Sequence, residues 1–156
     1  MARQIVNKFR WLIFAIFLIF IAVAPTLDTT IFFNRTQSMP RGLYVKITKN
    51  RYDVGDIIIF KNKENNNVLI KYVAAIPSKE FCIDEDSALW IGGVPVAQIN
   101  IEKYPQAFLN PSTCQILQPD ELLVLGEHPD SFDSRYFGPI KVDQVIAEVW
   151  PLWIFE

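Results

Sequence analysis

The chain has 156 residues, 51% of them hydrophobic, and sets 15 Lys and Arg against 17 Asp and Glu for a formal net charge of −2. That length supports one modest domain with its own core and leaves little room for a second. A near-neutral balance with no block of like charge excludes a basic stripe, so no nucleic-acid partner is expected.

The charge is unevenly divided along the chain. Arg3, Lys8 and Arg10 precede Trp11 with no acid among them, whereas the remainder holds 12 basic and 17 acidic residues. Residues 11–24 read WLIFAIFLIFIAVA, apolar throughout. As a helix this covers about 21 Å of a hydrocarbon layer roughly 30 Å thick. Two readings compete, a cleaved secretory signal ending at Ala22–Ala24 and a retained anchor. Pro25 favours the anchor, because proline after the small-residue motif turns the scissile bond into a tertiary amide of restricted geometry. Ile5, Val6 and Phe9 extend the apolar length while Lys8 and Arg10 reach back to water. The asymmetry of charge then predicts a cytoplasmic tail over 1–10, a transmembrane anchor over 11–27 with lipid around it, and an exported domain over 28–156.

Past the anchor the sequence reads as short strands. Leu43–Thr48, Asp56–Phe60, Val68–Ile76, Glu121–Glu127 and Ala147–Phe155 are rich in β-branched and aromatic residues. Lys61–Asn67, KNKENNN, is a solvated loop by composition. Gly92-Gly93, between two apolar halves, predicts a hairpin turn that needs positive φ. Pro77, Pro105, Pro111 and Pro119 argue against a long helix in the middle, and one helical turn fits at Val142–Ala147. The expected fold is mostly β, a compact antiparallel domain behind one N-terminal transmembrane helix. The two cysteines, Cys82 and Cys114, both fall in the exported part and are expected to form a disulfide, the alternative being two buried thiols.

The single histidine, His128, sits in a polar loop, GEHPDSFDSR, where a Ser-His-Asp triad would have to use it. Glu127, His128, Asp130 and Asp133 lack a metal-ligand spacing, and neither a metal nor a cofactor is expected. A serine nucleophile can instead use a lysine base, provided burial lowers an amine pKa of about 10.4 by several units. Lys61, Lys63 and Lys79 lie in hydrated turns. Lys71 lies mid-strand and by alternation shares a face with Leu69, Val73 and Ala75. A protective lysine on an edge strand explains the same pattern, and Lys46 in LYVKIT meets it less well. Ser38 in TQSMPRGLY is an ordinary turn serine by type. Its neighbourhood is less ordinary: Pro40 holds Met39 extended, Gly42 admits close backbone approach, and Thr36 offers a second hydroxyl. Together these could present Ser38 with its own N–H and the Thr36 hydroxyl aimed at an oxyanion.

These residues resemble the membrane-bound type I signal peptidases, most closely the conjugative-transfer branch of TraF-type pilin peptidases. Ser38–Tyr44 (SMPRGLY) is similar to the nucleophile box, Ile70–Pro77 (IKYVAAIP) to the lysine box and Ser131–Ile140 (SFDSRYFGPI) to the last box. The resemblance implies Ser38 as nucleophile, Lys71 as general base and Thr36 as oxyanion-hole donor. It also implies that Ser131 hydrogen-bonds and orients the Lys71 amine, while Asp133 and Arg135 pair to brace the site. Gly126-Glu127-His128-Pro129 departs from the Gly-Asp-Asn-Arg of many members. The family fold lies at the membrane surface, so Trp150, Trp153 and Phe155 either enter the interface or pack a terminal strand. The implied protein is a single-pass bacterial inner-membrane enzyme with a periplasmic serine endopeptidase domain. Its partner is a membrane-bound precursor, foremost a propilin, cut through an acyl-enzyme that water or the precursor's own amino terminus resolves. A general signal peptidase and a non-catalytic, membrane-tethered β module of a transfer apparatus are the alternatives.

Overall fold

The computed structural model describes residues 10–11, 13–18, 30–49, 51–105 and 112–155. The chain forms two units, residues 1–30 and 31–156. In the first, residues 10–11 and 13–18 are helical, and most of the expected 11–27 anchor lies outside the described residues. Among the described residues no helix is long and apolar enough to cross a membrane.

The described residues of the second unit form eleven strands. A seven-stranded antiparallel sheet runs β1 (Ile31–Asn34), β2 (Gly42–Ile47), β11 (Val145–Ile154), β3 (Ile57–Lys61), β4 (Val68–Ala75), β9 (Glu121–Leu125) and β10 (Ile140–Lys141) in spatial order. A four-stranded sheet places β7 (Val94–Gln98), β6 (Ala88–Ile91), β5 (Glu80–Ile83) and β8 (Thr113–Ile116) side by side. The five strands expected from β-branched runs all form. The β6–β7 hairpin turns at Gly92 and Gly93, whose φ of 57° and 80° a side chain would strain.

The helical turn expected over Val142–Ala147 is shorter than that. A 3₁₀ turn covers Val142–Gln144, and Val145 already opens β11, where Val145 and Ala147 pair with β3. An unforeseen helix forms instead at Ser134–Phe137, capped by the Asp133 carboxylate accepting from Arg135 N and stopped by Gly138 at φ 76°.

Three apolar clusters hold the strands together. Phe81, Ile83 and Leu89 of the small sheet pack with Ala75, Leu123 and Leu125 of the large one. Ile58, Phe60, Val73, Leu122 and Val124 form a second cluster, and Met39, Tyr44, Ile59, Ile70 and Val149 a third. Cys82 and Cys114 face each other across β5 and β8 and are joined in a disulfide, which on chain-entropy grounds stabilises the fold by about 3 to 4 kcal/mol. Of the two readings of the late aromatics, core packing does not hold for Trp150 and Trp153, each 65% exposed; Phe155 lies beside Trp153 and in edge contact with Phe33.

Candidate active site

Ser38 sits in the loop that joins β1 to β2. The strands close this loop at its base, where Asn34 pairs with Gly42. A Cβ on Gly42 would fall on the Trp153 carbonyl of β11, so only glycine lets the strands approach. Met39 turns into the third apolar cluster at 1% exposure, which orients the neighbouring Ser38 outward. The Tyr44 hydroxyl donates to Pro40 O at 2.6 Å, and Glu127 N donates to Ser38 O at 2.8 Å. The Ser38 carbonyl, and that of Pro40 two residues on, are therefore both held.

Lys71 arrives from β4, which lies between β3 and β9, so the edge-strand reading does not apply. Its side chain is 2% exposed, and Nζ donates to Ser38 Oγ at 2.7 Å. Burial away from water lowers its pKa to about 8; the Asp133 carboxylate opposes that fall and the Arg135 guanidinium adds to it. As expected, Leu69 and Val73 belong to one apolar cluster, but a register shift after Val73 accompanies the passage of Ala75 into another. Lys46 lies on β2 opposite Val149. Lys61, Lys63 and Lys79 are exposed.

The Thr36 hydroxyl lies 3.2 Å from Ser38 Oγ and donates to Asn34 Oδ1 at 2.8 Å. On the opposite side, Asp133 and Arg135 form a fully enclosed pair, 0% and 3% exposed, with Nε and Nη2 each 2.8 Å from a carboxylate oxygen. The second Asp133 oxygen also accepts from Gly126 N at 2.9 Å. Arg135 spends its other protons on the carbonyls of Gln98, Pro129 and Ser131, which fixes the course of the 128–131 loop.

Ser131 is brought to the site but not to the expected partner. Its Oγ is buried and has no hydrogen-bond partner, so the bond to the Lys71 amine is not made in this structure. It lies against Gly126, where a Cβ would overlap the Ser131 hydroxyl and come within 2.6 Å of Ser38 O. His128 stays in the exposed loop and accepts from Asp130 N at 3.1 Å. Among the described residues no group of three His, Cys, Asp or Glu could hold a metal ion.

Sequence reasoning passed over Asn34 and Gly126. The first is a polar residue closing an apolar strand, the second a glycine at a strand end, and those were the available signals. Beside Thr36 a cleft of about 280 Å³ runs between Phe32, Ile59, Leu69 and Ile70.

A β domain carrying a buried lysine in contact with a loop serine, beside an apolar cleft, defines a class of protein built around a Ser–Lys pair. The chain belongs to the signal peptidase family, peptidase S26, whose pattern matches residues 3–153. It is 27% identical over 88 residues to the conjugal transfer protein TraF of Agrobacterium tumefaciens, covering 56% of this chain and 50% of that one. The chain thus spans half the length of that relative. It is also 27% identical over 136 residues to signal peptidase I of Bacillus caldolyticus, covering 73% of each. A crystal structure of a signal peptidase I from Enterococcus faecalis shares 22% identity with a TM-score of 0.44, over 65% of this chain and 98% of that one.

Proposed function

We propose that this protein is a membrane-anchored serine endopeptidase in which Ser38 attacks the scissile carbonyl and Lys71 takes its proton. The observation that carries this is the 2.7 Å contact between Lys71 Nζ and Ser38 Oγ at an amine whose pKa is lowered to about 8. At pH 7 an amine of that pKa is neutral in about a tenth of molecules, against fewer than about one in a thousand for a solvated lysine. As the Ser38 oxygen bonds to carbon, its proton passes to Lys71, and the protonated amine returns it to the leaving nitrogen. The oxyanion is met by the Thr36 hydroxyl and the Ser38 N–H. Asp133 and Arg135, buried beside it as an ion pair, act on the lysine through their charges.

The substrate is a membrane-bound precursor, and likeness to the TraF relative favours a conjugative propilin. Its segment before the cut lies in the apolar cleft beside Thr36, and water or its own amino terminus resolves the acyl-enzyme. The anchor is residues 11–27 in the inner membrane, with the domain in the periplasm. Exposed Trp150, Trp153 and Phe155 support a rim that rests at the lipid interface.

Mass spectrometry of the candidate pilin, made with and without this protein, reports both the cut and any ring closure. Ser38→Ala and Lys71→Ala are each expected to abolish maturation, and normal maturation in either rejects the dyad. The fuller match to signal peptidase I favours a second reading, a general enzyme acting on many exported precursors. Rescue of a cell depleted of its own leader peptidase would select that reading.

A further inference from the structure

The Asn34 side chain, 6% exposed, makes more hydrogen bonds than any single role in strand pairing requires. Its Nδ2 lies 3.0 Å from Met39 O, 3.1 Å from Pro40 O and 3.2 Å from Thr36 O, so its two protons are shared among three carbonyls of the loop that carries Ser38. Its Oδ1 accepts twice from one residue, from Thr36 N at 3.1 Å and from Thr36 Oγ1 at 2.8 Å.

Those bonds fix the direction of the chain of hydroxyls. Thr36 has one hydroxyl proton, and with that proton on Asn34 Oδ1 its lone pair faces Ser38 Oγ, 3.2 Å away. While Lys71 is protonated and donates to Ser38 Oγ, the serine proton can turn to Thr36, giving a continuous run from Lys71 through Ser38 and Thr36 to Asn34. When Lys71 is neutral the serine proton turns to the amine instead. The Thr36 proton is then free to rotate away from Asn34. Asn34 Oδ1 is not orphaned by that rotation because it keeps the Thr36 N–H, so the buried acceptor stays satisfied.

We propose that Asn34 is a positioning residue for acyl transfer, parking the Thr36 hydroxyl proton at rest and releasing it to the oxyanion as Ser38 attacks. No proton leaves the threonine oxygen; only its O–H bond turns. This rests on Ser38 and Lys71 acting as nucleophile and base.

The test is a double-mutant cycle on the full-length chain in detergent micelles, following acylation of Ser38 by a β-lactam probe through intact mass. Thr36→Val is expected to slow acylation roughly a hundredfold. Asn34→Ala is expected to slow it roughly tenfold in the native background, with the loss in kcat rather than KM for precursor cleavage, and by less than about twofold once Thr36 is valine. An equal loss in both backgrounds overturns the proposal and leaves Asn34 as a clamp on the loop alone. Should Asn34→Ala not fold, Asn34→Ser withdraws the acceptor from Thr36 while keeping a polar side chain, and the same cycle is read: a loss confined to the Thr36 background supports the proposal, an equal loss rejects it. A Ser38→Ala control separates the levels, because continued precursor cleavage there refutes the nucleophile assignment itself.

Discussion

Lys71 Nζ and Ser38 Oγ lie 2.7 Å apart although 33 positions separate them in the chain. One is supplied by the middle of a central strand, the other by a loop whose amide plane is held by Glu127 N and whose next residue is sunk in the core. Neither element can shift without disturbing apolar packing, so the pair is preorganised before any substrate arrives.

A buried amine is costly to the fold that houses it. The native state holds Lys71 at a pKa of about 8 against 10.5 for the free group. Below pH 8 both folded and unfolded chains are protonated and the full cost is felt; between 8 and 10.5 the native state releases its proton first and the cost fades. Lys71→Met is therefore expected to stabilise the fold by about 3 kcal/mol at pH 7 while ending activity, with the gain vanishing above about pH 10.5. Denaturant unfolding at pH 7 and at pH 10.5 measures both; destabilisation at pH 7 would refute the desolvation argument.

Gly126 faces two atoms of the site at once. A methyl group there would overlap the Ser131 hydroxyl and crowd the Ser38 carbonyl. Gly126→Ala is expected to cut Ser38 acylation by at least about a hundredfold, since displacement of a reacting group by about 1 Å costs that much. Circular dichroism and acylation kinetics together check this. Wild-type kinetics would mean that the loop yields freely.

Asp133 serves the fold and the lysine together. Its removal leaves the Arg135 guanidinium enclosed without its counter-charge, and Gly126 N without its acceptor. Asp133→Ala is expected to lower stability by about 3 to 5 kcal/mol. Because the carboxylate raises the Lys71 pKa, Asp133→Asn is expected to move the acid limb of the rate profile downward in pH. An upward shift would contradict that electrostatic assignment.

Much of this was legible in the sequence. Runs such as DIIIF and VLIKYVAAI declare strands because β-branched side chains fit a pleated, half-buried surface. Short strands such as β1 (IFFN) and β5 (EFCI) carry too few residues to show a period, and the order that inserts β11 between β2 and β3 depends on pairings distant in sequence. Lys46 on β2 and Lys71 on β4 both lie on strands flanked on each side, so the choice of Lys71 needed its near-complete burial and its contact with Ser38. Ser131 was expected at the amine, and its bare hydroxyl shows that proximity along a motif does not fix a rotamer. Asn34 showed only as a polar residue closing an apolar strand, because most of its partners are backbone groups of a loop, which leave no trace in residue type.

The central claim is that a desolvated Lys71 amine activates Ser38. Its most direct test is the rate of Ser38 acyl-enzyme formation measured by intact mass across pH 5 to 10, in the native chain and in Lys71→Ala. The expected result is a rate that rises with pH and reaches half its plateau near 8, with no adduct in Lys71→Ala. A pH-independent rate, or acylation of Lys71→Ala at the native rate, would contradict it.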